Sequence, residues 1–300
     1  MKSGWIAIAG RPNAGKSSLL NAMLGSPLSA VTPKAQTTRD QIFGIYNDEK
    51  KGQIVFVDTP GIHNAKPGGI NEFMVGQARE ALTEPNLVWY LVDPRSALKP
   101  ETAVLDLLPK EVPIFLIFTK SDLGWPAVQS KAQFESLLVT AAHERGLQFA
   151  QTFSISSLIE KGTRELLSAS WPKMPEGPLY FPQNDDLSNR PLRFFVSELI
   201  RKQIFLKLGE EVPYSCGVEI ASFDESATPP RIEATIFVER DSQKGIVVGK
   251  GGAKIKEIGQ AAREEIEALI GGHAFLGLHV KVLREWTKDQ QALKRLGYES

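Results

Sequence analysis

Cysteine is almost absent from this chain of 300 residues, which holds only Cys216. One cysteine cannot form an intramolecular disulfide and cannot build a cysteine-rich metal site. Such scarcity is typical of proteins from a reducing compartment, so we expect a cytoplasmic protein. We interpret Cys216 itself as a small buried residue rather than a catalytic thiol.

The sequence also lacks any uncharged apolar run near the ~20 residues that a membrane-spanning helix requires. Its first residues lead directly into a strand-like segment and do not have the architecture of a signal peptide. Neither observation excludes attachment to a membrane surface. A partial association with the inner face of the cell membrane therefore stays open beside the cytoplasmic location.

Net charge is missing as well, because 35 lysines and arginines balance 35 aspartates and glutamates. The molecule as a whole is not a polycation, so any nucleic-acid site has to be a local patch of basic side chains. The hydrophobic share of 42% is enough for two ordinary cores in a chain of this length. We find no repeats and no low-complexity segments in the sequence.

The first part of the chain alternates apolar strand-like runs with helical patterns. Strands that are buried on both faces of a parallel sheet have this apolar character. The strand-like runs cover residues 5–9, 53–58, 87–93 and 113–119, and the helical patterns lie around 16–24, 76–82, 101–108 and 129–145. This alternation predicts an α/β domain over residues 1–171, with a mainly parallel sheet and functional loops at the carboxyl ends of its strands.

The composition changes after this domain. Residues 172–190 are rich in proline and polar side chains, which predicts an extended linker, with a long surface loop of a single domain as the alternative. Residues 191–300 then follow the order helix, strand, strand, helix, helix, strand. This order predicts a smaller α+β domain, whose helix over 253–270 has an apolar side.

A phosphate-binding loop is indicated near the start of the chain, where Gly-Arg-Pro-Asn-Ala-Gly-Lys-Ser covers residues 10–17. Its glycines let the backbone wrap phosphates closely, and the following helix adds positive potential. We expect Lys16 to reach the β- and γ-phosphates and the Ser17 hydroxyl to ligate Mg²⁺. The residues assigned to the triphosphate are Asn13, Ala14, Gly15, Lys16, Ser17 and Ser18.

Further strand ends complete the predicted nucleotide site. Asp58 is expected to hold Mg²⁺ through water, and the Gly61 N–H to sense the γ-phosphate. The Asp122 carboxylate can accept both the N1–H and the 2-amino group of guanine, a pair that adenine does not offer. The other residues assigned to the base are Thr119, Lys120, Ser156 and Ser157.

These elements, in this order, resemble the five motifs of TRAFAC-class GTPases. The phosphate-binding loop together with Thr-Thr-Arg-Asp at 37–40 is similar to the translation-factor-related group that assembles ribosomes or modifies tRNA. The resemblance implies GTP and GDP as ligands, with Thr38 as the switch threonine that closes on Mg²⁺ and the γ-phosphate. A polar surface loop that does not switch is the alternative for residues 34–40. The implied metal ligands are Ser17, Thr38 and Asp58.

The sequence departs from this group in its guanine motifs. Threonine stands at 119, where asparagine is usual, so guanine affinity is expected to be modestly lower. Serine stands at 157 in place of alanine, a small change because the backbone N–H should make that contact. Because Asp122 is retained, we expect GTP rather than ATP.

The expected mechanism lacks the glutamine of signalling GTPases. Ile62 follows Gly61, and its alkyl side chain cannot orient the attacking water, so unaided hydrolysis should be slow. The resemblance implies that a K⁺ ion, ligated partly by Asn13, supplies charge near the β,γ-bridging oxygen. A turn residue that tolerates left-handed geometry is the alternative interpretation of Asn13. His63 is interpreted as a solvated loop residue rather than a general base. The catalytic residues are assigned as Lys16, Thr38, Gly61 and Asn13.

A second glycine loop, Gly-Lys-Gly-Gly at 249–252, precedes the amphipathic helix of the second domain. K-homology domains clamp about four nucleotides of single strand with such a loop. Ile246 and Val247 are expected to form the apolar floor of the groove. The residues assigned to RNA are Arg240, Lys244, Ile246, Gly249, Lys250, Gly251, Gly252, Lys254 and Lys256.

Both parts together resemble the Era-type bacterial ribosome-assembly GTPases over essentially the whole chain, including Trp286 and the segment 293–298. The resemblance implies a type II K-homology domain and a monomeric GTPase that binds 16S-type rRNA near its 3′ end and assists maturation of the small (30S) ribosomal subunit. Two alternatives stay open. One is a GTPase that acts on tRNA or another RNA, and the other is an RNA scaffold with a weakly active nucleotide site.

Overall fold

The computed structural model describes residues 1–34, 36–62, 68–95, 97–125, 130–182 and 187–298. The chain divides into two compact units. The first unit comprises Met1–Ser29, Thr38–Lys66 and Met74–Asn189, and the second comprises Ala30–Thr37, Pro67–Phe73 and Arg190–Ser300. The second unit therefore includes two short segments from the first half of the sequence.

The first unit is built on a six-stranded sheet with the order β2-β3-β1-β4-β5-β6. Its strands are β1 (Lys2–Gly10), β2 (Ile42–Asp48), β3 (Gly52–Asp58), β4 (Leu87–Val92), β5 (Ile114–Phe118) and β6 (Phe149–Ser154). All pairings are parallel except that of β2, which runs antiparallel to β3 at one edge. β3, β4 and β5 are buried along their whole length, as their apolar runs predict. The predicted α/β sheet is thereby confirmed.

Helices follow the strands of this sheet, as the sequence pattern predicts. They are α1 (Lys16–Leu24), α2 (Gly69–Ala81), α3 (Leu98–Leu105), α4 (Lys131–His143) and α5 (Thr163–Ser170). The start of α4 is fixed by a capping box, in which Ser130 accepts from the Gln133 N–H and the Gln133 side chain accepts from the Ser130 N–H. Phe134 and Leu138 of the same helix are fully buried in a core shared with β4 and β5.

The proline-rich stretch that was predicted as a linker packs on the first unit. Gln53, fully buried in β3, donates to the Phe181 carbonyl at 2.8 Å and accepts from the Phe181 N–H at 3.0 Å. Trp5 contacts the ring of Tyr180 edge-on, with ring centroids 5.1 Å apart. Residues 180–181 are therefore held against β1 and β3 by paired amide groups and aromatic contacts.

The second unit contains a three-stranded sheet with the order β7-β8-β9. β7 (Gly217–Asp224) is antiparallel to β8 (Arg231–Val238), and β9 (Phe275–Val282) is parallel to β8. Its helices are α6 (Leu192–Lys207), α7 (Asp241–Val248), α8 (Ala253–Ile270) and α9 (Gln290–Arg295). The order α6-β7-β8-α7-α8-β9 confirms the predicted type II K-homology arrangement, with β9 beginning four residues before the predicted start.

The core of this unit lies between the helices and one face of the sheet. Ile258, Ala262 and Ile266, spaced along the apolar side of α8, are all fully buried. Cys216 belongs to the same core, where its Sγ lies 3.1 Å from the Val212 carbonyl, so its predicted burial is confirmed. None of the helices in the described part of the chain has the length and apolar character needed to cross a membrane.

Candidate functional site: a phosphate-binding loop and a glycine-loop groove

The phosphate-binding loop joins β1 to α1 and uses backbone conformations that glycine favours. Gly10 has φ 154°, and a Cβ at this position would lie 2.6 Å from the Leu91 carbonyl oxygen. Gly15 has φ 93° immediately before the first residue of α1. Asn13 has φ 63°, a left-handed conformation that asparagine tolerates. The conformation of the loop therefore follows directly from its residue types.

Lys16 is buried behind this loop, and only 6% of it is exposed. Its ammonium donates to the carbonyls of Gly10 at 3.1 Å and Arg11 at 2.9 Å. Burial lowers the pKa of Lys16 to about 8, although the charges of Asp58 and Glu101 oppose this shift. An ammonium has three donors, so these two bonds restrict its orientation and leave one N–H for a further acceptor.

The three residues expected to ligate Mg²⁺ lie together. The Ser17 hydroxyl donates to Asp58 Oδ2 at 2.7 Å and lies 2.9 Å from the Thr38 hydroxyl. Asp58 is fully buried, and within the described residues its Oδ1 has no hydrogen-bond partner. A buried acceptor of this kind requires a partner, and hydroxyl and carboxylate oxygens are the ligands that Mg²⁺ prefers. These residues therefore fit the ion.

Sequence reasoning missed Ser29 at this place. Its buried hydroxyl donates to Asp58 Oδ2 at 2.9 Å. Asn21 holds Ser29 through two bonds of 2.8 Å, one to its N–H and one to its carbonyl. Burial raises the pKa of Asp58, whereas the charge of Lys16 and the hydrogen bonds from Ser17 and Ser29 oppose this effect. No motif spacing marks Ser29, because the loop that follows α1 brings it to Asp58.

Gly61 lies directly against the phosphate-binding loop. A Cβ on Gly61 would be 2.6 Å from Pro12 Cα, so the close approach requires glycine. The next residue, Ile62, donates its N–H to the Gly10 carbonyl at 3.1 Å and buries its side chain in the core. An alkyl group in this position cannot orient water. The interpretation of His63 concerns a residue outside the described ones.

The residues expected to recognise guanine lie where β5 and β6 end. Thr119, which is buried, donates from its hydroxyl to the Ala14 carbonyl at 2.8 Å. Ser156 donates to Asp122 at 2.5 Å, so the carboxylate is oriented by a neighbouring loop. Ser157 follows Ser156 at the surface side of this loop. The structure therefore brings the predicted base-binding residues to the same edge of the sheet as the phosphate-binding loop.

Asp93, which directly follows β4, is a second residue that sequence reasoning missed. It accepts from Lys120 Nζ at 2.9 Å and from Arg95 at 2.9 Å and 2.8 Å. Burial alone would raise the pKa of Asp93, but the hydrogen bonds from Arg95 and Lys120 outweigh it and lower the pKa to about 2. The available signal was its position at the carboxyl end of a strand, where the functional loops of such sheets lie.

The glycine loop of the second unit connects α7 to α8. A Cβ on Gly249 would lie 2.6 Å from Lys254 Cβ, so the loop closes tightly on the first turn of α8. Lys250 is exposed at the tip of the loop. The positive φ values of 72°, 60° and 81° belong to Gly249, Gly251 and Gly252. These conformations leave a loop of small residues with an exposed ammonium, as a clamp on a phosphate backbone requires.

A groove of about 330 Å³ lies between α8 and β9. A Cβ on Gly259 would lie 3.2 Å from Leu278 Cδ1, so this glycine keeps the helix close to the strand. Sequence reasoning assigned only Lys256 of the lining residues, because the pairing of this helix face with β9 is a tertiary feature. The lining residues are Ile255, Lys256, Gly259, Gln260, Arg263, Leu276 and Leu278.

Neither of the two apolar residues expected to floor the groove is among the described residues that line it. Val247 is fully buried in the core of the second unit, whereas Ile246 is 51% exposed on α7. Adjacent helical residues point about 100° apart, so α7 can bury Val247 in the core while Ile246 stays at the surface. Arg240 and Lys244 are exposed at the start of α7.

Ser18, the last residue assigned to the triphosphate, lies in α1 beside Ser17.

Two family models match this chain. Residues 5–120 match the family described as 50S ribosome-binding GTPase, and residues 211–287 match the KH domain family. The first match contains the phosphate-binding loop and the Mg²⁺ ligands proposed above. The second contains the glycine loop and its groove.

Curated relatives extend the similarity over the whole chain. GTPase Era from Geobacter metallireducens is 42% identical over 303 residues, which cover 99% of this chain and 98% of the relative. GTPase Era from Staphylococcus haemolyticus is 36% identical over 301 residues, with 99% and 97% covered.

Solved structures give the same result at the level of the fold. Two crystal structures of Era match with a TM-score of 0.91 and 32% identity, and all of each chain is covered. One contains Era in complex with MgGDPNP and nucleotides 1506–1542 of 16S ribosomal RNA. The other is a variant of Aquifex aeolicus Era bound to GDP and AlF4⁻. The similarity in both units, over the full length of relatives, shows that the chain belongs to the Era family of GTPases.

Proposed function

We propose that this protein hydrolyses GTP, binds 16S-type rRNA near its 3′ end and assists maturation of the small ribosomal subunit. The observation that carries the proposal is that one chain holds both the convergent Ser17, Thr38 and Asp58 and the groove beside the glycine loop. Related Era binds MgGDPNP and 16S rRNA nucleotides in a crystal structure. We assign residues 1–171 to GTP, 172–190 to the linker and 191–300 to RNA.

The residues of the first unit have separate roles in this proposal. Lys16 contacts the β- and γ-phosphates through its third N–H. The Gly61 N–H senses the γ-phosphate by donating a hydrogen bond to it. Ser17, Thr38 and Asp58 hold Mg²⁺, which when bound neutralises charge on the phosphate oxygens. Asp122 selects guanine because its two oxygens accept from the N1–H and the 2-amino group. The distances of 2.7 Å and 2.9 Å that join Ser17 to Asp58 and Thr38 support the proposed set of metal ligands.

Hydrolysis in this proposal is slow without a partner, because Ile62 is buried and cannot hold the attacking water. Asn13 is exposed at the turn of the phosphate-binding loop, and we assign its carboxamide oxygen as one of the ligands of a K⁺ ion. Replacing KCl with NaCl at equal ionic strength tests this role, and unchanged hydrolysis in NaCl would contradict it.

Coupling between nucleotide and RNA is part of the proposal. Ala30–Thr37 and Pro67–Phe73 belong to the second unit, whereas Thr38 and Gly61 belong to the first. A change at the γ-phosphate that moves Thr38 or Gly61 therefore acts on chain segments that continue into the RNA-binding unit. We propose that GTP favours the RNA-binding state and that hydrolysis permits release.

The experiment measures the affinity of the full chain for a short single-stranded RNA copied from the 3′ end of 16S rRNA. Fluorescence anisotropy is recorded with a non-hydrolysable GTP analogue and with GDP, each with Mg²⁺. Tighter binding with the analogue is expected. Equal affinity in both states would reject the coupling, and no binding in either state would reject the RNA target. An RNA of the same composition in scrambled order separates sequence recognition from charge.

Matched variants locate the binding site. Arg263→Ala removes a cation from the groove and is expected to weaken RNA binding about fivefold, the effect of losing about 1 kcal/mol. Lys281→Ala removes a cation that is exposed on the opposite face of β9, so it should leave the affinity unchanged. Lys16→Ala should abolish hydrolysis and the difference between nucleotide states while RNA binding itself remains.

The ribosomal partner needs a separate comparison, because one matching family is described as 50S ribosome-binding. Co-sedimentation with isolated small and large subunits distinguishes the two, and we expect the chain to pellet with the small subunit.

The proposal also places a monomer in the cytoplasm, with visits to the inner face of the cell membrane. Light scattering and flotation with anionic phospholipid vesicles check these two points, and a dimer or a failure to float would contradict them.

A further inference from the structure

Glu101 is a buried carboxylate that has no assigned role in the nucleotide site described above, although its charge raises the pKa of Lys16. It lies in the first turn of α3 and is 1% exposed. Burying a carboxylate is costly unless it is hydrogen-bonded and paired with a cation. The helix N-terminus contributes a favourable potential, but this effect is modest. The neighbours of Glu101 therefore indicate why the chain keeps a charge there.

Tyr90 and Arg11 face this carboxylate. The hydroxyl of Tyr90, fully buried in β4, donates to Glu101 Oε2 at 2.7 Å. Burial raises the pKa of Tyr90 well above its ordinary value, the charge of Glu101 adds to this, and the charge of Arg11 opposes it. Tyr90 is therefore a permanent donor. Arg11 Nη1 lies 3.9 Å from Glu101 Oε1, which is an electrostatic contact without a hydrogen bond.

Arg11 belongs to the phosphate-binding loop, and its backbone carbonyl accepts two hydrogen bonds there. It accepts from Lys16 Nζ at 2.9 Å and from the Ala14 N–H at 3.2 Å. The first bond fixes the direction of the ammonium, and the second closes the turn that precedes Gly15. A displacement of the Arg11 side chain therefore also shifts the Arg11 carbonyl and the Lys16 ammonium that is bonded to it.

We propose that Glu101 is a positioning residue for GTP hydrolysis, held in place by Tyr90 and acting through Arg11 on the phosphate-binding loop and Lys16. The inference rests on the proposed GTPase function. The negative charge keeps the guanidinium of Arg11 turned toward α3, so that its carbonyl stays directed at Lys16. The third N–H of the ammonium is thereby aimed at the phosphates before GTP arrives.

The test uses steady-state GTP hydrolysis by the full chain. Glu101→Gln removes the charge but keeps an acceptor oxygen for Tyr90. We expect kcat to fall about tenfold, less than the ~100-fold that a 1 Å misplacement can cost, with a smaller change in KM. Asp106→Asn is the matched control, because Asp106 directly follows α3 and pairs with Arg145 at 2.6 Å. Its kcat should equal that of the wild type.

A double-mutant cycle separates positioning from stability. Arg11→Ala removes the partner from the exposed side, since the Arg11 side chain is 30% exposed. If Glu101 acts through Arg11, the double variant has the kcat of Arg11→Ala alone. Effects that multiply, or a Glu101→Gln variant with a lower Tm and wild-type kcat, would overturn the proposal.

The remaining outcomes are also decisive. If Glu101→Gln does not fold, Arg11→Ala decides the question, because wild-type kcat in that variant overturns the proposal. If the wild-type protein hydrolyses no GTP in the presence of Mg²⁺ and K⁺, the proposed GTPase function fails and this inference fails with it. Normal wild-type hydrolysis with unaffected variants rejects this inference alone.

Discussion

At the scale of single residues, Thr119 shows how a departure from a motif is accommodated. The sequence suggested a loss, because a hydroxyl stands where a carboxamide is usual. In the structure the hydroxyl donates to the Ala14 carbonyl at 2.8 Å, so it ties the end of β5 to the phosphate-binding loop. The threonine side chain thus connects the base-binding and phosphate-binding segments.

Thr119→Val tests this connection, because valine has nearly the same shape and no donor. The Ala14 carbonyl loses a buried bond worth about 1 kcal/mol, so affinity should fall about fivefold. GDP and GTP should be affected equally, since the bond is far from the γ-phosphate. Titration with fluorescent GDP measures the change, and Thr119→Ser, which keeps the hydroxyl, is the control. Wild-type affinity for Thr119→Val would show that the bond does not hold the loop.

Asp93 gives a pH-dependent prediction at the same scale. Its pKa is about 2 in the folded protein against 3.8 ordinarily, so folding favours the charged form. This contribution is complete above about pH 4 and is lost as pH falls from 4 to 2. Asp93→Asn should reduce the free energy of unfolding at pH 7 by about 2 kcal/mol and weaken its dependence on pH in that window.

Urea unfolding at pH 7, 4 and 2.5 measures this effect. Asp106→Asn is the control, because Asp106 is 59% exposed in its ion pair with Arg145 and should contribute little. Equal acid sensitivity in wild type and Asp93→Asn would contradict the assignment of the charge to this residue.

At the scale of elements, the sequence predicts strands that have a continuous local pattern of apolar residues. It misses features that depend on packing against other segments. β3, β4 and β5 are continuous apolar runs, and each was predicted. β2 was not predicted, because Gly44 and the polar residues 47–48 interrupt its pattern and its pairing with β3 is a tertiary matter. Val247 was misplaced because only the packing of α7 decides which of two adjacent apolar residues enters the core.

The candidate site divides in the same way. Gly10, Lys16 and Asp58 were found because a motif fixes their spacing around a strand end. Ser29 and Arg263 were missed because a loop brings the first to Asp58, and the pairing of α8 with β9 places the second in the groove. Local chemistry is therefore readable from sequence, whereas neighbours supplied by distant segments are not.

Gly259 gives a prediction at this scale in which stability and function change in opposite directions. Alanine favours a helix over glycine by about 1 kcal/mol, and the new Cβ would meet only the flexible end of Leu278 at 3.2 Å. Gly259→Ala should therefore leave the protein as stable or more stable while narrowing the groove and weakening RNA binding. Gly76→Ala in α2, where a Cβ has open space, should stabilise without changing RNA affinity.

Thermal unfolding and RNA anisotropy on both variants provide the comparison. Unchanged RNA affinity in Gly259→Ala would show that RNA does not occupy the groove between α8 and β9. Reduced affinity in Gly76→Ala would show instead that the effect is not local to the groove.

At the scale of the whole molecule, a chain of zero formal net charge has to bind a polyanion with a local patch. Part of that patch is already neutralised, because Lys254 donates to Glu257 at 2.7 Å. Lys250 is exposed in the glycine loop, and Lys256 is exposed at the start of α8. In the part of the chain that the structure describes, neither ammonium forms an ion pair of this kind. RNA affinity should therefore depend on salt through a few side chains rather than through the total charge.

The salt dependence of RNA binding counts those side chains. Each neutralised phosphate of a single strand contributes a slope of about −0.7 to log K against log salt concentration. Lys256→Ala should reduce the steepness by about 0.7, whereas Lys254→Ala should reduce it less, because its ammonium already has a carboxylate partner. Lys281→Ala, on the other face of β9, should leave the slope unchanged. If all three variants lower it equally, the RNA responds to net charge and not to the patch beside the glycine loop.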